Sequence, residues 1–118
     1  MSEKPCIEIP LPRNPGIRLF QWLGLGLNDT GYPLYLPQHS DKTIQVRGTF
    51  GTGGKCRIEG SNMDENPEYD LLTDQQENPL EISTSSPMKF VTQNPYMMRP
   101  NIVGGDGTTN LNIYLVIK

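Results

Sequence analysis

The stretch that most constrains the fold is Thr43–Ser61, TIQVRGTFGTGGKCRIEGS. Ile44, Val46, Gly48 and Phe50 fall on one side of an extended chain, and Gln45, Arg47 and Thr49 on the other. Beyond Gly51-Thr52-Gly53-Gly54 the alternation resumes, with Cys56, Ile58 and Gly60 on the apolar side and Lys55, Arg57 and Glu59 on the polar side. Period-two alternation on both sides of a short glycine-rich connection predicts a β-hairpin with one dry and one wet face. A lone hairpin is marginal in water, so further strands must cover the dry face.

Composition decides what kind of cover that is. The chain contains no alanine, and 11 prolines and 12 glycines stand among its 118 residues. Losing the best helix former while gaining helix breakers argues against helices of ordinary length and for an all-β domain with many turns. The length suits one domain with a modest core. Further strands are predicted around Tyr69–Thr73, Pro79–Ser83, Met88–Thr92 and Tyr96–Val103, the last interrupted by Pro100 and therefore edge-like or bulged. Gly104–Asn110 reads as a hairpin turn. Leu111–Ile117 is the cleanest strand, with Leu111, Ile113, Leu115 and Ile117 on its dry face. The fold class expected is a single-domain antiparallel β-sandwich or jelly roll.

Residues 1–40 have a different texture, holding six of the prolines. They read as a Pro-rich N-terminal arm, partly packed on a sandwich domain formed by 41–118. Ile17–Leu23 is apolar enough for a strand or an anchor. Its side chains either complete the domain's own core or lie on a partner, with Phe20 and Trp22 as aromatic anchors. Ile17 and Tyr35 belong to the same candidate contact surface, together with Arg47 and Arg57 from the wet face of the hairpin.

Charge is uneven. Glu59–Glu81 carries eight acids and no base, leaving five acids against ten bases elsewhere, within a net charge of −3. That suits a solvated acidic loop, or a molecule that docks on a charged surface in one orientation. Nothing global points to nucleic acid or membrane: no groove-like run of bases and no long apolar stretch occurs, and the N-terminus lacks the apolar run of a signal peptide. The sequon Asn28-Asp29-Thr30 is of a kind expected by chance in a chain rich in Asn and Thr.

Motifs for catalysis fail on inspection. Gly54-Lys55 suggests a phosphate loop, but Thr49 stands where the first glycine belongs and Cys56 where Ser or Thr should hold magnesium. Asn62–Asn66 opens like a calcium loop, but Pro67 and Thr73 replace the required glycine and glutamate. His39 is the sole histidine, in a loop, and no GxSxG elbow accompanies it. The carboxylates Glu68 and Asp70 are a weak signal in so acidic a segment. Cys6 and Cys56 lie fifty positions apart with no zinc spacing. No catalytic residue, metal or cofactor is therefore expected.

Two blocks resemble small structural proteins of tailed bacteriophages: Val46-Arg47-Gly48-Thr49-Phe50-Gly51 with Cys56-Arg57-Ile58-Glu59-Gly60-Ser61-Asn62, and Tyr96-Met97-Met98-Arg99-Pro100-Asn101-Ile102-Val103-Gly104-Gly105-Asp106-Gly107-Thr108-Thr109-Asn110-Leu111. Tyr69–Asp74 occupies the place of the tyrosine- or tryptophan-bearing strand between them. The similarity covers roughly residues 43–117, and the closing GGDGTT block is its most specific part. It implies a capsid cement or decoration protein: a non-enzymatic β-sandwich, made in the bacterial host cytoplasm, that binds the major capsid protein on the outer surface of the virion. Exposed strand edges could also pair two copies across a twofold axis, so a homo-oligomer is expected, a dimer rather than a trimer. The alternative is a tail or head–tail junction module that binds a tail protein or a host glycan. The IEGSN segment is similar to discoidin-like carbohydrate-binding sandwiches as well, without their usual tryptophan.

Overall fold

The computed structural model describes residues 3–14, 16–35, 41–84 and 88–118. Twelve strands appear among them: β1 (Glu3–Lys4), β2 (Ile7–Ile9), β3 (Arg18–Leu25), β4 (Thr30–Gly31), β5 (Leu34–Tyr35), β6 (Lys42–Thr49), β7 (Lys55–Ser61), β8 (Asp70–Leu71), β9 (Glu81–Ile82), β10 (Lys89–Val91), β11 (Met97–Val103) and β12 (Asn110–Ile117). No helix is present among the described residues, and the strands form two sheets. Sheet B has the order β10-β6-β12-β3-β2. Sheet A runs β1-β4-β11-β7-β8, with β5 also on β11 and β9 also on β7. All pairings are antiparallel except β1 with β4. The β-sandwich expected from composition and periodicity is what the chain adopts.

The predicted Thr43–Ser61 hairpin is not one. β6 pairs with β12 and β10 in sheet B, whereas β7 pairs with β11, β8 and β9 in sheet A. The Phe50–Gly54 connection is thus an arch that carries the chain across the sandwich. The dry sides of its two strands face each other through the core instead of lying side by side. Gly104–Thr109, also read as a hairpin turn, is a second arch, from β11 in sheet A to β12 in sheet B. Because β7 pairs β11 and β6 pairs β12, the two arches stack at one end of the molecule.

The stacking accounts for their glycines. A Cβ on Gly104, whose φ is 72°, would lie 2.5 Å from the Gly53 carbonyl oxygen. One on Gly51 would lie 2.5 Å from both Asp106 and Thr109. Asp106 ties the arches together. Its carboxylate accepts from the Thr52 amide (2.9 Å), the Thr108 amide (2.8 Å) and the Thr108 hydroxyl (2.6 Å), while the Thr109 hydroxyl donates to the Phe50 carbonyl (2.9 Å). Donors fixed on the ionised form hold the Asp106 carboxyl well below the usual carboxylate range, the Thr108 hydroxyl contributing most.

Residues 3–35 are woven into both sheets, so strand pairing does not follow a boundary at residue 40. β3 lies between β12 and β2 in sheet B, and β4 and β5 flank β11 in sheet A. β3 stays in phase with the core through a bulge: Trp22 pairs with Ile113 and Leu25 with Leu111, so β3 carries one extra residue. Gly24, at φ 72°, takes the left-handed conformation there, and Leu25 is turned inward where strict alternation from Trp22 would have placed Gly24. The core is built from Phe20, Trp22 and Leu25 of β3, Ile44 and Val46 of β6, Cys56 and Ile58 of β7, Met98 and Ile102 of β11 and the four predicted inward residues of β12, closed by Leu72, Leu80, Ile82 and Val91.

Pro100 sits in an interior strand, contrary to the edge-like expectation. The Ile102 amide bonds the Asp29 carbonyl on the β4 side, so the position two residues earlier faces that side as well. There the neighbouring ladder is at its end, because β5 pairs only Met97 and Met98, β4 pairs only Asn101, and Gly31 packs against the Pro100 ring. No donor is needed at residue 100, and proline is accommodated.

Candidate partner-binding surface

The outward residues of sheet A form three cross-strand rows. Glu81, Arg57, Asn101 and Thr30 make one; Leu71, Glu59 and Arg99 the next; Ser61, Met97 and Tyr35 the third. Glu59 is the centre of the polar part and, at 6% exposed, is buried although it faces away from the sandwich core. A buried carboxylate persists only where its lone pairs are met. Arg99 Nε lies 3.3 Å from one oxygen; Asn101 Nδ2 donates to the other at 3.1 Å, with Arg57 Nε at 3.8 Å from it. Arg57 also faces Glu81 at 3.7 Å, and Lys55 pairs with Glu81 at 3.4 Å. No acceptor completes a hydrogen bond to Arg57 Nε, so Arg57 is held by charge more than by geometry.

The aromatic part adjoins it. The Arg99 guanidinium lies 3.7 Å from the centroid of the Tyr69 ring, and the Tyr69 hydroxyl donates to Met97 Sδ at 3.2 Å. Burial pushes the Tyr69 phenol above its ordinary value, with the Arg99 charge pulling the other way. Tyr35 and Tyr96 stack edge to face with centroids 5.3 Å apart, and both rings are exposed. Tyr96 is fixed at two points, its amide donating to Asn62 Oδ1 (2.8 Å) and its hydroxyl to Asp64 Oδ1 (3.2 Å). The Asp64 charge raises the Tyr96 phenol, which stays a neutral donor at physiological pH. The result is a surface on which Tyr69, Tyr96 and Arg99 are already held in place by side-chain contacts.

The expected contact residues are scattered by the fold. Tyr35 and Arg57 lie on this surface. Arg47 points out of sheet B, on the opposite side of the molecule, its Nη1 donating to the Val46 carbonyl at 2.9 Å. The arch is the reason: β6 and β7 do not share a wet face. Phe20 and Trp22 are core residues, not anchors; Trp22 is 0% exposed and its indole donates to the Tyr32 carbonyl at 3.0 Å. Ile17 is half-buried just before β3. Sequence reasoning missed Tyr69, Tyr96, Arg99 and the central role of Glu59. Outward alternation in β11 places Met97, Arg99 and Asn101 together, but which strand faces them was not readable.

The rejected motifs have structural roles. The Thr52 amide of the glycine loop is taken by Asp106, and Asn62 and Asp64 serve Tyr96. Among the described residues no group of three or more His, Cys, Asp or Glu side chains is placed to hold a metal ion; His39 lies outside them. Burial raises the Cys6 thiol to about 11 and pushes the Cys56 thiol up further, so both are protonated at neutral pH. No helix among the described residues is long and apolar enough to cross a membrane.

No family model matches the chain, and no curated protein does. Solved structures do share its fold. The SPBc2 prophage-derived protein YomS is similar over 94% of this chain and 97% of its own, with a TM-score of 0.64 at 11% identity. Peruvianin-I, a cysteine peptidase from Thevetia peruviana latex, gives 0.50 at 11% identity over 95% of this chain and 59% of its own. Hydroxypropylphosphonic acid epoxidase from S. wedmorenis gives 0.47 at 15% identity over 96% and 49%. The chain spans about half the length of these last two. At 11% identity the likeness to YomS shows the fold alone, and YomS shares it end to end.

Proposed function

We propose that this chain is a non-enzymatic structural protein of a tailed bacteriophage, a cement or decoration protein that binds the assembled shell of major capsid protein on the outer surface of the head. The observation that carries the reading is the locked tyrosine–arginine surface of sheet A. Tyrosine and arginine are the residue types that dominate binding hot spots, and here they are ordered before any partner arrives, which lowers the entropy cost of docking. The GTFG, IEGSN and GGDGTT blocks and the end-to-end fold similarity to a prophage-derived protein support the phage setting. Binding that favours the assembled shell over free subunits stabilises it by mass action.

The test is occupancy of heads assembled without this protein, measured by co-sedimentation. Tyr35→Ala and Tyr96→Ala should each weaken binding by more than about 10-fold, as loss of a hot-spot tyrosine does. Full occupancy by the double variant would overturn the assignment of this surface. A second reading, a tail or head–tail module that binds a tail protein or a host glycan, draws on the exposed Tyr35 and Tyr96 rings, since tyrosine faces also stack on sugars. Copy number on purified virions separates the two: hundreds of copies for cement, a handful for a tail module.

A further inference from the structure

The outer face of sheet B carries a different chemistry. Its registered rows are Phe90–Thr43–Val116–Leu19–Ile9, then Gln45–Tyr114–Gln21–Ile7, then Arg47–Asn112. The first row is apolar but for one threonine and crosses all five strands. Only Arg47 in the three rows is charged, whereas soluble surfaces run roughly 25–35% charged. Depletion of charge with retention of apolar and aromatic side chains marks the buried centre of an interface. Ile7 and Phe90 are exposed, and a groove of about 480 Å³ opens beside Phe90, Thr43 and Val116.

We infer that this face is a homodimer interface, with the twofold axis running along β12. The strand order β10-β6-β12-β3-β2 is balanced about β12. Rotation about that axis therefore sets Val116 against Val116, Thr43 against Leu19, and Phe90 against Ile9. The Ile9 edge of each copy enters the groove beside Phe90 of the other, the reciprocal contact an isologous interface requires. The three rows hold no acid and Arg47 as their one base, so they stack on themselves with little like-charge penalty; Asp41, Lys42 and Lys118 stand in the wall of the groove, at the margin of the face. Three strands of eight residues and two of three, at ~4.8 Å spacing and ~3.3 Å per residue, give a projected area near ~480 Å², which side-chain relief raises toward the lower end of the ~600–1,000 Å² per partner of specific complexes. Two sheets stacked this way are aligned face to face, as in ordinary sandwiches.

The inference does not depend on the capsid reading, because it is tested on the isolated protein. Light scattering coupled to size exclusion, from low-micromolar to sub-millimolar protein, should show a concentration-dependent dimer. Val116→Lys, which sets two ammonium groups on the axis, should give a monomer at every concentration with an unchanged far-UV spectrum. Ile9→Lys and Phe90→Glu should each weaken the dimer at least 10-fold, and the pair together should restore it, since the two positions meet across the axis. That rescue reads the interface even if Val116→Lys perturbs the fold. Tyr35→Ala, on the opposite sheet, should leave the dimer intact. A wild-type monomer at the highest concentration, a dimer indifferent to Val116→Lys, or failure of the charge pair to rescue overturns the inference.

Discussion

Replacing Glu59 by glutamine should test how the tyrosine–arginine surface is held. The side chain keeps its shape and loses its charge. At an effective dielectric near 20, charges 3.3 Å apart (Arg99) and 3.8 Å apart (Arg57) attract by ~5 and ~4 kcal/mol. Taking the carboxylate out of water costs several kcal/mol, so the net worth of the cluster is far smaller than the Coulomb sum. Removing the charge leaves that cost already met on the arginine side and sets two guanidinium groups together without a shared counterion. The expected loss is ~2–3 kcal/mol, below the ~3–5 for breaking a fully buried pair, because Arg57 and Arg99 keep some water contact. With a urea slope of roughly 1.5 kcal/mol/M the unfolding midpoint falls by about 1.3–2 M. Trp22, the sole tryptophan and fully buried, is the fluorescence reporter. A cycle with Arg99→Met should return a coupling of ~1–2 kcal/mol. A midpoint within about 0.3 M of wild type and a coupling near zero would show that the cluster is electrostatically idle and that the surface is held by aromatic packing.

Three other perturbations have signs set by the structure. A Cβ on Gly31 would lie 2.5 Å from Trp22 Cδ1 and 2.6 Å from Pro100, so Gly31→Ala should cost ~2–3 kcal/mol and lower the melting temperature by about 8–12 °C in calorimetry; an unchanged melt would mean the site has slack. The folded Asp106 carboxyl lies below its ordinary 3.8, so its contribution is complete above that value and drains as pH falls through the folded one. Acid-unfolding curves should therefore flatten below about pH 4 in Asp106→Asn, and an unaltered pH slope would refute the arch-linking role. Lys42 is 1% exposed and bonds Asn94 Oδ1; burial lowers its ammonium below 10.5. The folded state disfavours the charged form, so wild-type stability should rise as pH climbs through the folded value toward 10.5. Lys42→Met should remove that rise and add ~1 kcal/mol at neutral pH; a destabilised variant would show the lysine to be well solvated by its partners.

The strands were legible because burial imposes its period on the sequence. β12, β6 and β7 were placed within a residue or two, and the inward sets of β12 and β7 were right, Cys56 included; on β6 Ile44 and Val46 turn inward while Gly48 is exposed. Pairing was not legible. Alternation reports that a strand has one dry side, and that is equally true of two strands side by side in one sheet and of two strands facing each other across a core. Thr43–Ser61 and Tyr96–Ile117 both read as hairpins for this reason, and both are arches. A clue lay in the connections. Two-residue hairpin turns favour Asn-Gly or Gly-X, whereas both loops here are longer and the second carries an aspartate and two threonines that bond the first. That bonding is long-range, with Thr52 and Asp106 far apart in sequence, so no local reading could assign it. β3 was in view as a strand or an anchor, and proline density drew it toward an arm; only the bulge at Gly24 shows why Leu25 belongs to the core.

The same arches decide where chemistry can appear. Ten residues separate Arg47 from Arg57, yet one connection sends them to opposite outer faces, so the single wet surface read from sequence becomes two. On sheet A, β7 meets β11 and brings Glu59 beside Arg99; charge is buried, paired and used to hold tyrosines. On sheet B, β6 meets β12, and Thr43, Gln45 and Arg47 meet Val116, Tyr114 and Asn112, almost without charge. A polar, preorganised face suits selection of one partner by matched donors and charges. A neutral apolar face suits a partner whose own face is the same, and the only such face the structure itself guarantees is that of another copy. In the proposed cement role the chain would both hold the shell and span between its subunits. A dimer joined through sheet B would turn both sheet A surfaces outward, on opposite sides, and so could bridge two sites. If it does, disrupting sheet B should leave each copy able to bind heads while abolishing the extra stability they gain, a separation of occupancy from thermal resistance measurable on the same particles.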